Sequence, residues 1–172
     1  MNDMIAQVER QLLQVKGLEL SDIEHSLDIL LGREIDYGEV FVQSTRGESF
    51  ALEDGIVKDG SFGVEAGVGL RALAGERTGF AYSEDIRLDG LKQAAKAARS
   101  IAGSGSPRRA PGFQAVDFAP LYAPTDPISS LTEEDKVKLL RQIDQTARAQ
   151  DDKVKEVTVR IAGNHESVLV MA

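Results

Sequence analysis

The spacing of apolar residues near the start of the chain predicts two amphipathic helices. Between residues 4 and 15, apolar side chains recur every three or four positions, which is the period of one helix face. Gly17 follows this stripe, and glycine is a common helix end. A second stripe runs from Ile23 to Leu31, and Ser21 and Glu24 have the spacing of a capping box. We therefore expect the second helix to begin at Ser21.

From Asp36 onward the hydrophobic pattern has the two-residue period of strands with one buried face. Asp54-Gly55 and Gly75-Glu76 separate alternating runs and predict hairpin turns. Arg46-Gly47 and Asp59-Gly60 predict two more turns. The pattern therefore indicates four or five antiparallel strands in one meander.

The glycine-rich run from Leu52 to Tyr82 is the most informative segment of the chain. Alternation places Gly63, Gly67 and Gly69 on one strand face, opposite an apolar face. Phosphate-binding loops need a strand-to-helix junction, which this strand pattern lacks. Glycine in a strand more often allows close packing of a side chain or backbone. Edge pairing with a peptide strand is the open alternative.

The second half of the chain predicts two further helices and two strands. One helix spans residues 88–102, and Thr132 caps another with acidic residues in its first turn. Between them lie a flexible loop at 103–112 and an extended segment at 113–131. Gly163-Asn164 predicts a turn between the last two strands. The fold class is α+β, a curved, mostly antiparallel sheet with amphipathic helices packed on it.

Composition and charge exclude several classes of protein. The 172 residues carry a net charge of −8 and no cysteine, which excludes disulfides and thiolate metal sites. The acidic balance disfavours nucleic-acid binding. No run is long and apolar enough for a signal peptide or membrane span. We expect a soluble, cytoplasmic protein that binds neither nucleic acid nor membrane.

Candidate catalytic groups are sparse. His165-Glu166 begins like the HExxH zinc motif, but position i+4 is Leu169 and the local pattern is a strand. His25 is far away in sequence, so no metal site is predicted. Arg108-Arg109 is interpreted as part of a solvated loop. Three carboxylates near the predicted turns are interpreted as turn-forming residues, namely Glu53, Asp54 and Asp59.

Several short segments of the chain form a recognisable set: Asp36-Tyr37-Gly38, Gln43-Ser44, Glu48-Ser49, Leu52-Glu53-Asp54, Lys58-Asp59-Gly60-Ser61, Gly67 to Ala72, Gly75 to Tyr82, Pro120-Leu121-Tyr122, Asp126-Pro127 and Glu156-Val157-Thr158. Together they resemble the N-terminal domain of the TldD/PmbA family of metallopeptidases, and TldD more than its partner TldE (PmbA). The resemblance spans most of residues 1–172, which we treat as one domain of this type. The apolar run at Ala172 predicts truncation at the C-terminal end.

The resemblance implies a role without catalysis for this chain. Family members are bacterial and archaeal zinc metallopeptidases in which TldD and TldE form a heterodimer that acts in proteolysis and peptide maturation. Their HExxxH zinc motif is absent here, so no catalytic or metal residue can be assigned, and we expect the chain alone to be inactive. The resemblance implies assembly with a TldE/PmbA-like subunit and enclosure of peptide substrates.

Four residues are candidates for a substrate or partner surface, because they lie on or beside the glycine-rich strands: Arg71, Thr78, Phe80 and Tyr82. A core role for Phe80 is the competing interpretation. A different class of function is a stand-alone protein-binding module, such as a modulator of DNA gyrase.

Overall fold

The computed structural model describes residues 3–32, 34–103 and 125–172. The chain order of its elements is α1 (Asp3–Leu12), a 3₁₀ turn (Gln14–Lys16), α2 (Leu20–Leu30), β1 (Tyr37–Glu53), β2 (Ile56–Ala74), β3 (Arg77–Ser83), α3 (Leu88–Ala102), α4 (Glu133–Arg148) and β4 (Thr158–Met171). The strands form one sheet in the order β3-β2-β1-β4. The predicted α+β class is confirmed.

The chain divides into two compact units. The described part of unit 1 comprises residues 3–32, 34–44, 66–103 and 167–172, and that of unit 2 comprises residues 45–65 and 125–166. The long strands β1, β2 and β4 contribute residues to both units.

Unit 1 has a core between its helices and one face of its sheet. Val40, Val42, Val68 and Leu70 are fully buried on the strands and pack in one cluster with buried residues of the helices. On α3 the buried positions are Gly90, Leu91, Ala94, Ala95, Ala98 and Ala102. Their small side chains let this helix approach β3 closely. Ile101 lies at the border of this face and is 59% exposed.

Unit 2 has a smaller core beneath α4. Leu52, Leu140 and Val159 form its buried cluster, and Phe50 packs against them. Thr132 caps α4 as predicted, because its side chain accepts a hydrogen bond from the backbone N–H of Asp135.

Two predicted turns are confirmed and three are wrong. Asp54-Gly55 has φ values of 48° and 77°, the left-handed pair of a tight hairpin. Gly75-Glu76 also forms a turn. The strands continue unbroken through Arg46-Gly47, Asp59-Gly60 and Gly163-Asn164. A glycine inside a strand does not turn the chain when neighbouring strands pair past it, so the strands are fewer and longer than predicted.

The second helix begins earlier than expected. Its N-cap is Glu19, which forms a capping box with Asp22, instead of the predicted Ser21 and Glu24. Gly17 ends the preceding 3₁₀ turn with φ of 71°. Residues 104–112 of the loop predicted at 103–112, and the following segment up to residue 124, lie outside the described residues. None of the helices in the described part of the chain is long and apolar enough to cross a bilayer.

Candidate functional site

All four residues predicted for a contact surface lie on one face of the β2–β3 hairpin in unit 1. Arg71 pairs with Phe80 across the two strands, and Thr78 and Tyr82 alternate with Phe80 along β3. Side chains directly opposite each other share a face. The other face of the hairpin carries Gly79 and packs on α3. The predicted residues therefore occupy the face that the described helices leave open.

Two aromatic rings of β3 lie across glycines of β2. An added Cβ at Gly69 would lie 3.1 Å from the ring of Phe80, and one at Gly67 would overlap the ring and hydroxyl of Tyr82. The glycines thus provide the space in which the rings lie against the sheet. Phe80 and Tyr82 nevertheless remain 56% and 59% exposed. The alternative that Phe80 is a core residue is wrong.

A charged network fixes Arg71 beside these rings. The Arg71 Nε atom lies 2.8 Å from Glu39 Oε1, and its guanidinium carbon is 6.0 Å from the centre of the Tyr37 ring. The Tyr37 hydroxyl donates a hydrogen bond to Glu39 Oε2 at 2.9 Å. One carboxylate therefore orients both Arg71 and Tyr37.

The electrostatics of this network favour the charged arginine and the protonated phenol. The hydrogen bond and charge of Glu39 raise the pKa of Arg71. Hydrogen bonding to Glu39 is also the main reason why the pKa of Tyr37 is raised, with desolvation contributing. Near neutral pH, Arg71 is therefore held as a cation and Tyr37 as a neutral phenol.

We name the set Tyr37, Glu39, Arg71, Phe80 and Tyr82 the aromatic face. Exposed aromatic residues and arginine are the types that dominate binding energy at protein interfaces. Rings already held against the sheet lose little side-chain entropy on binding. Thr78 lies on the same side of β3, at the position paired with Leu73.

Sequence reasoning missed Tyr37 and Glu39 as members of the site. The alternation of β1 was a usable signal, because Gly38, Val40 and Val42 are buried and the residues between them must face the other way. What the alternation could not show is which residues of β2 lie beside them.

Unit 2 has a polar groove of about 410 Å³. Small and hydroxylated residues of its three strands line it, including Gly47, Ser49, Ser61 and Gly63. Ser49 and Ser61 place their hydroxyl oxygens 2.9 Å apart, and Arg160 donates to Ser49 at 3.4 Å. These groups hydrogen-bond to one another, and none is arranged as a nucleophile with a base.

The described residues do not fit a metal centre. Among them, no three histidine or acidic side chains come close enough to hold an ion. His25 is exposed on α2. His165 lies in β4, as its pattern predicted, and its Nδ1 is 3.3 Å from Arg46 Nη2.

The predicted turn role holds for one of the three carboxylates. Asp54 accepts hydrogen bonds from Arg148 and from the backbone N–H of Val157. These contacts lower the pKa of Asp54, the backbone hydrogen bond most strongly. Asp59 lies within β2 and forms no turn. Arg108-Arg109 lies outside the described residues.

The described residues form an α+β fold, in which helices pack on a four-stranded sheet. A family model for PmbA/TldA metallopeptidase domain 1 matches residues 38–102. A metalloprotease TldD homolog from Haemophilus influenzae is 41% identical over 171 residues, which are 98% of this chain and 36% of the relative. Another from Buchnera aphidicola subsp. Acyrthosiphon pisum is 34% identical over 95% of this chain and 34% of its own length. The chain belongs to the TldD/PmbA metallopeptidase family.

Solved structures show the same fold at low identity. A protein from Bacteroides thetaiotaomicron named as a modulator of DNA gyrase has a TM-score of 0.67 at 16% identity, covering 88% of this chain and 36% of that chain. TldE from Thermococcus kodakarensis has a TM-score of 0.61, also at 16% identity, covering 88% of this chain and 34% of that chain. This chain thus spans about a third of the proteins it matches.

Proposed function

We propose that this chain is the N-terminal, non-catalytic domain of a TldD-type metallopeptidase subunit. In this role it contributes the aromatic face to contact with a TldE/PmbA-like subunit and to the enclosure of peptide substrates. The observation that carries the proposal is that Phe80 and Tyr82 are held against the sheet and yet remain more than half exposed. Family membership supports the subunit type.

The energetics of the aromatic face favour a protein partner. Burying two half-exposed aromatic rings removes a large apolar area from water. Arg71 is already oriented by Glu39, so its guanidinium can meet a partner acceptor without first being ordered. A surface of this composition is suited to a polypeptide and offers no ligand set for a metal.

Metal chemistry belongs, in this proposal, to parts of the protein beyond the described residues. The TldD homologs are metalloproteases by name, and the family resemblance implies zinc. The proposal places the protein in the cytoplasm, where it would act in proteolysis and peptide maturation as a heterodimer.

The test is binding between the full-length protein and its TldE-like subunit. We expect Phe80→Ser/Tyr82→Ser to raise the Kd at least about thirtyfold, because losing two interface anchors removes about 2 kcal/mol or more. The matched control is Val15→Ser/Ile101→Ser, which removes two similarly exposed apolar side chains elsewhere in unit 1. A Kd that changes no more in the aromatic-face variant than in the control would refute the assignment.

The stand-alone binding module stays a prediction. A likeness at 16% identity to a protein named as a gyrase modulator shows the fold alone. The same binding assay separates the two functions, because a stand-alone module has no reason to bind a TldE-like subunit.

A further inference from the structure

A second surface of the chain lies along the first half of β2, in unit 2. All ten residues from Ile56 to Glu65 are exposed. On the side away from β1, the neighbour of β2 among the described strands is β3, and its pairing covers Val68 to Ala74. Within the part of the chain that the structure describes, the segment Ile56–Glu65 is therefore a sheet edge without a paired strand on that side. We name it the β2 edge.

The backbone of such an edge is itself a binding site. An unpaired edge strand presents a row of N–H and C=O groups at the spacing of another strand. Proteins usually block long edges with charged side chains, proline, bulges or short strands. The β2 edge carries Lys58, Asp59 and Glu65 but contains no proline, and its ten residues belong to one continuous strand.

The side chains of the β2 edge differ between its two faces. Alternation places Ile56, Lys58, Phe62 and Val64 on one side, where the three apolar residues are 60%, 65% and 56% exposed. Val57, Asp59, Ser61 and Glu65 lie on the other side, where Ser61 and Glu65 also line the polar groove. Cross-strand neighbours stabilise a sheet when apolar meets apolar and opposite charges meet. The complementary strand therefore has apolar residues alternating with basic ones.

We propose that the β2 edge captures an extended polypeptide by strand addition, and that the preferred segment alternates apolar and basic residues. Backbone hydrogen bonds supply sequence-tolerant affinity, while Phe62 and Val64 on one side and the two carboxylates on the other select the pattern. This site is separate in sequence from the aromatic face and requires no metal.

The test uses the full-length protein and a blocked, fluorescein-labelled peptide of alternating valine and lysine as long as the ten-residue edge. Fluorescence anisotropy gives its Kd. We expect binding to weaken at least about tenfold when alternate amides on one edge of the peptide are N-methylated, since this removes the backbone donors. A comparable loss is expected for Phe62→Lys/Val64→Lys, which opposes the basic peptide and removes the apolar side.

The matched control is Val15→Lys/Ile101→Lys, which adds the same charge at exposed apolar positions of unit 1 and should change the Kd less than about twofold. Asp59→Asn/Glu65→Gln should weaken the binding of the valine–lysine peptide and leave the binding of a valine–threonine peptide unchanged.

Three outcomes would overturn the proposal: no binding of the valine–lysine peptide by the wild-type protein, equal affinity for the N-methylated peptide, or equal losses in the control variant. A self-association that Phe62→Lys/Val64→Lys abolishes, without peptide binding, would instead assign the edge to a second copy. Peptide anisotropy does not depend on partner binding by Phe80 and Tyr82. The proposal for the β2 edge can therefore fail while the proposal for the aromatic face stands, and the reverse.

Discussion

Gly79 is the residue at which side-chain size limits the packing of β3 on α3. An added Cβ would overlap the carbonyl oxygen of Ala98 and lie 2.8 Å from the backbone nitrogen of Ala102. These are backbone atoms, so the helix and strand must separate to admit a methyl group. We expect Gly79→Ala to lower the free energy of unfolding by about 1–3 kcal/mol, measured by urea denaturation of the 172-residue chain.

The control for this prediction is Gly63→Ala, where no atom lies within 4 Å of the added Cβ. Alanine in a strand is favoured over glycine by about 0.5–1 kcal/mol, so this variant should be as stable as the wild type or slightly more so. Equal stability of the two variants would show that β3 does not lie against α3 at Gly79.

Asp54 links the stability of the chain to pH. Its pKa is lowered in the folded protein by the N–H of Val157 and by Arg148, relative to about 3.9 in an unfolded chain. A lowered folded pKa stabilises the fold above the unfolded value, and this contribution disappears as the pH falls through the folded value. The stability of the wild type should therefore fall more steeply below about pH 4 than that of Asp54→Asn.

Asparagine is the matched substitution because it tolerates the left-handed conformation that residue 54 adopts, with φ of 48°. The measurement is urea unfolding of both chains between about pH 6 and pH 3. The stability difference between them should be largest at the upper pH and shrink towards the lower one. A difference that is constant across this range would mean that the Asp54 carboxylate does not stabilise the hairpin.

At the scale of elements, a buried ion pair connects α4 to β1. The Lys136 side chain is 5% exposed and pairs with Glu48, donates to the Ile128 carbonyl at 2.6 Å and lies 5.9 Å from the centre of the Phe50 ring. Removing one member of a buried pair leaves the other charge without its partner. We expect Lys136→Met to lower the free energy of unfolding by about 3 kcal/mol.

The double variant Glu48→Gln/Lys136→Met should lose less free energy of unfolding than Lys136→Met alone, because no carboxylate is left without a partner. Urea denaturation of the two variants and the wild type gives both values. If the single variant were as stable as the wild type, or the double variant were less stable than the single one, the ion pair would not stabilise the packing of α4 on β1.

The elements that sequence could predict are those specified by local chemistry. Asp54-Gly55 forms its turn because both residues accept positive φ, and Thr132 caps α4 with its own hydroxyl. The strand breaks predicted at Gly47 and Gly163 are wrong because pairing with neighbouring strands overrides a local preference. Such pairing joins residues far apart in sequence, which local patterns do not contain.

The candidate site, like the secondary-structure elements, could be predicted from the sequence only in part. Alternation and glycine content identified Phe80 and Tyr82, but not how their rings lie over Gly69 and Gly67. The Glu39–Arg71 pair depends on the adjacency of β1 and β2. Predicting this pair requires the alignment of β1 with β2, and the predicted meander did not specify that alignment.

At the scale of the whole molecule, the chain has the fold of the TldD/PmbA family and an exposed aromatic face. The described part of it holds no cluster of metal-ligand side chains, and the chain spans 36% of the Haemophilus influenzae TldD homolog. Under the proposed function, catalysis belongs to the remainder of a TldD-type protein and recognition to this domain.

The most direct test compares peptide cleavage by the 172-residue chain with cleavage by the full-length protein and its TldE-like subunit, each with added zinc and with a chelator. The substrate is an unfolded peptide, and the products are identified by mass spectrometry. We predict chelator-sensitive cleavage by the full-length pair and none by the 172-residue chain. Zinc-dependent, chelator-sensitive cleavage by the purified 172-residue chain would contradict the account.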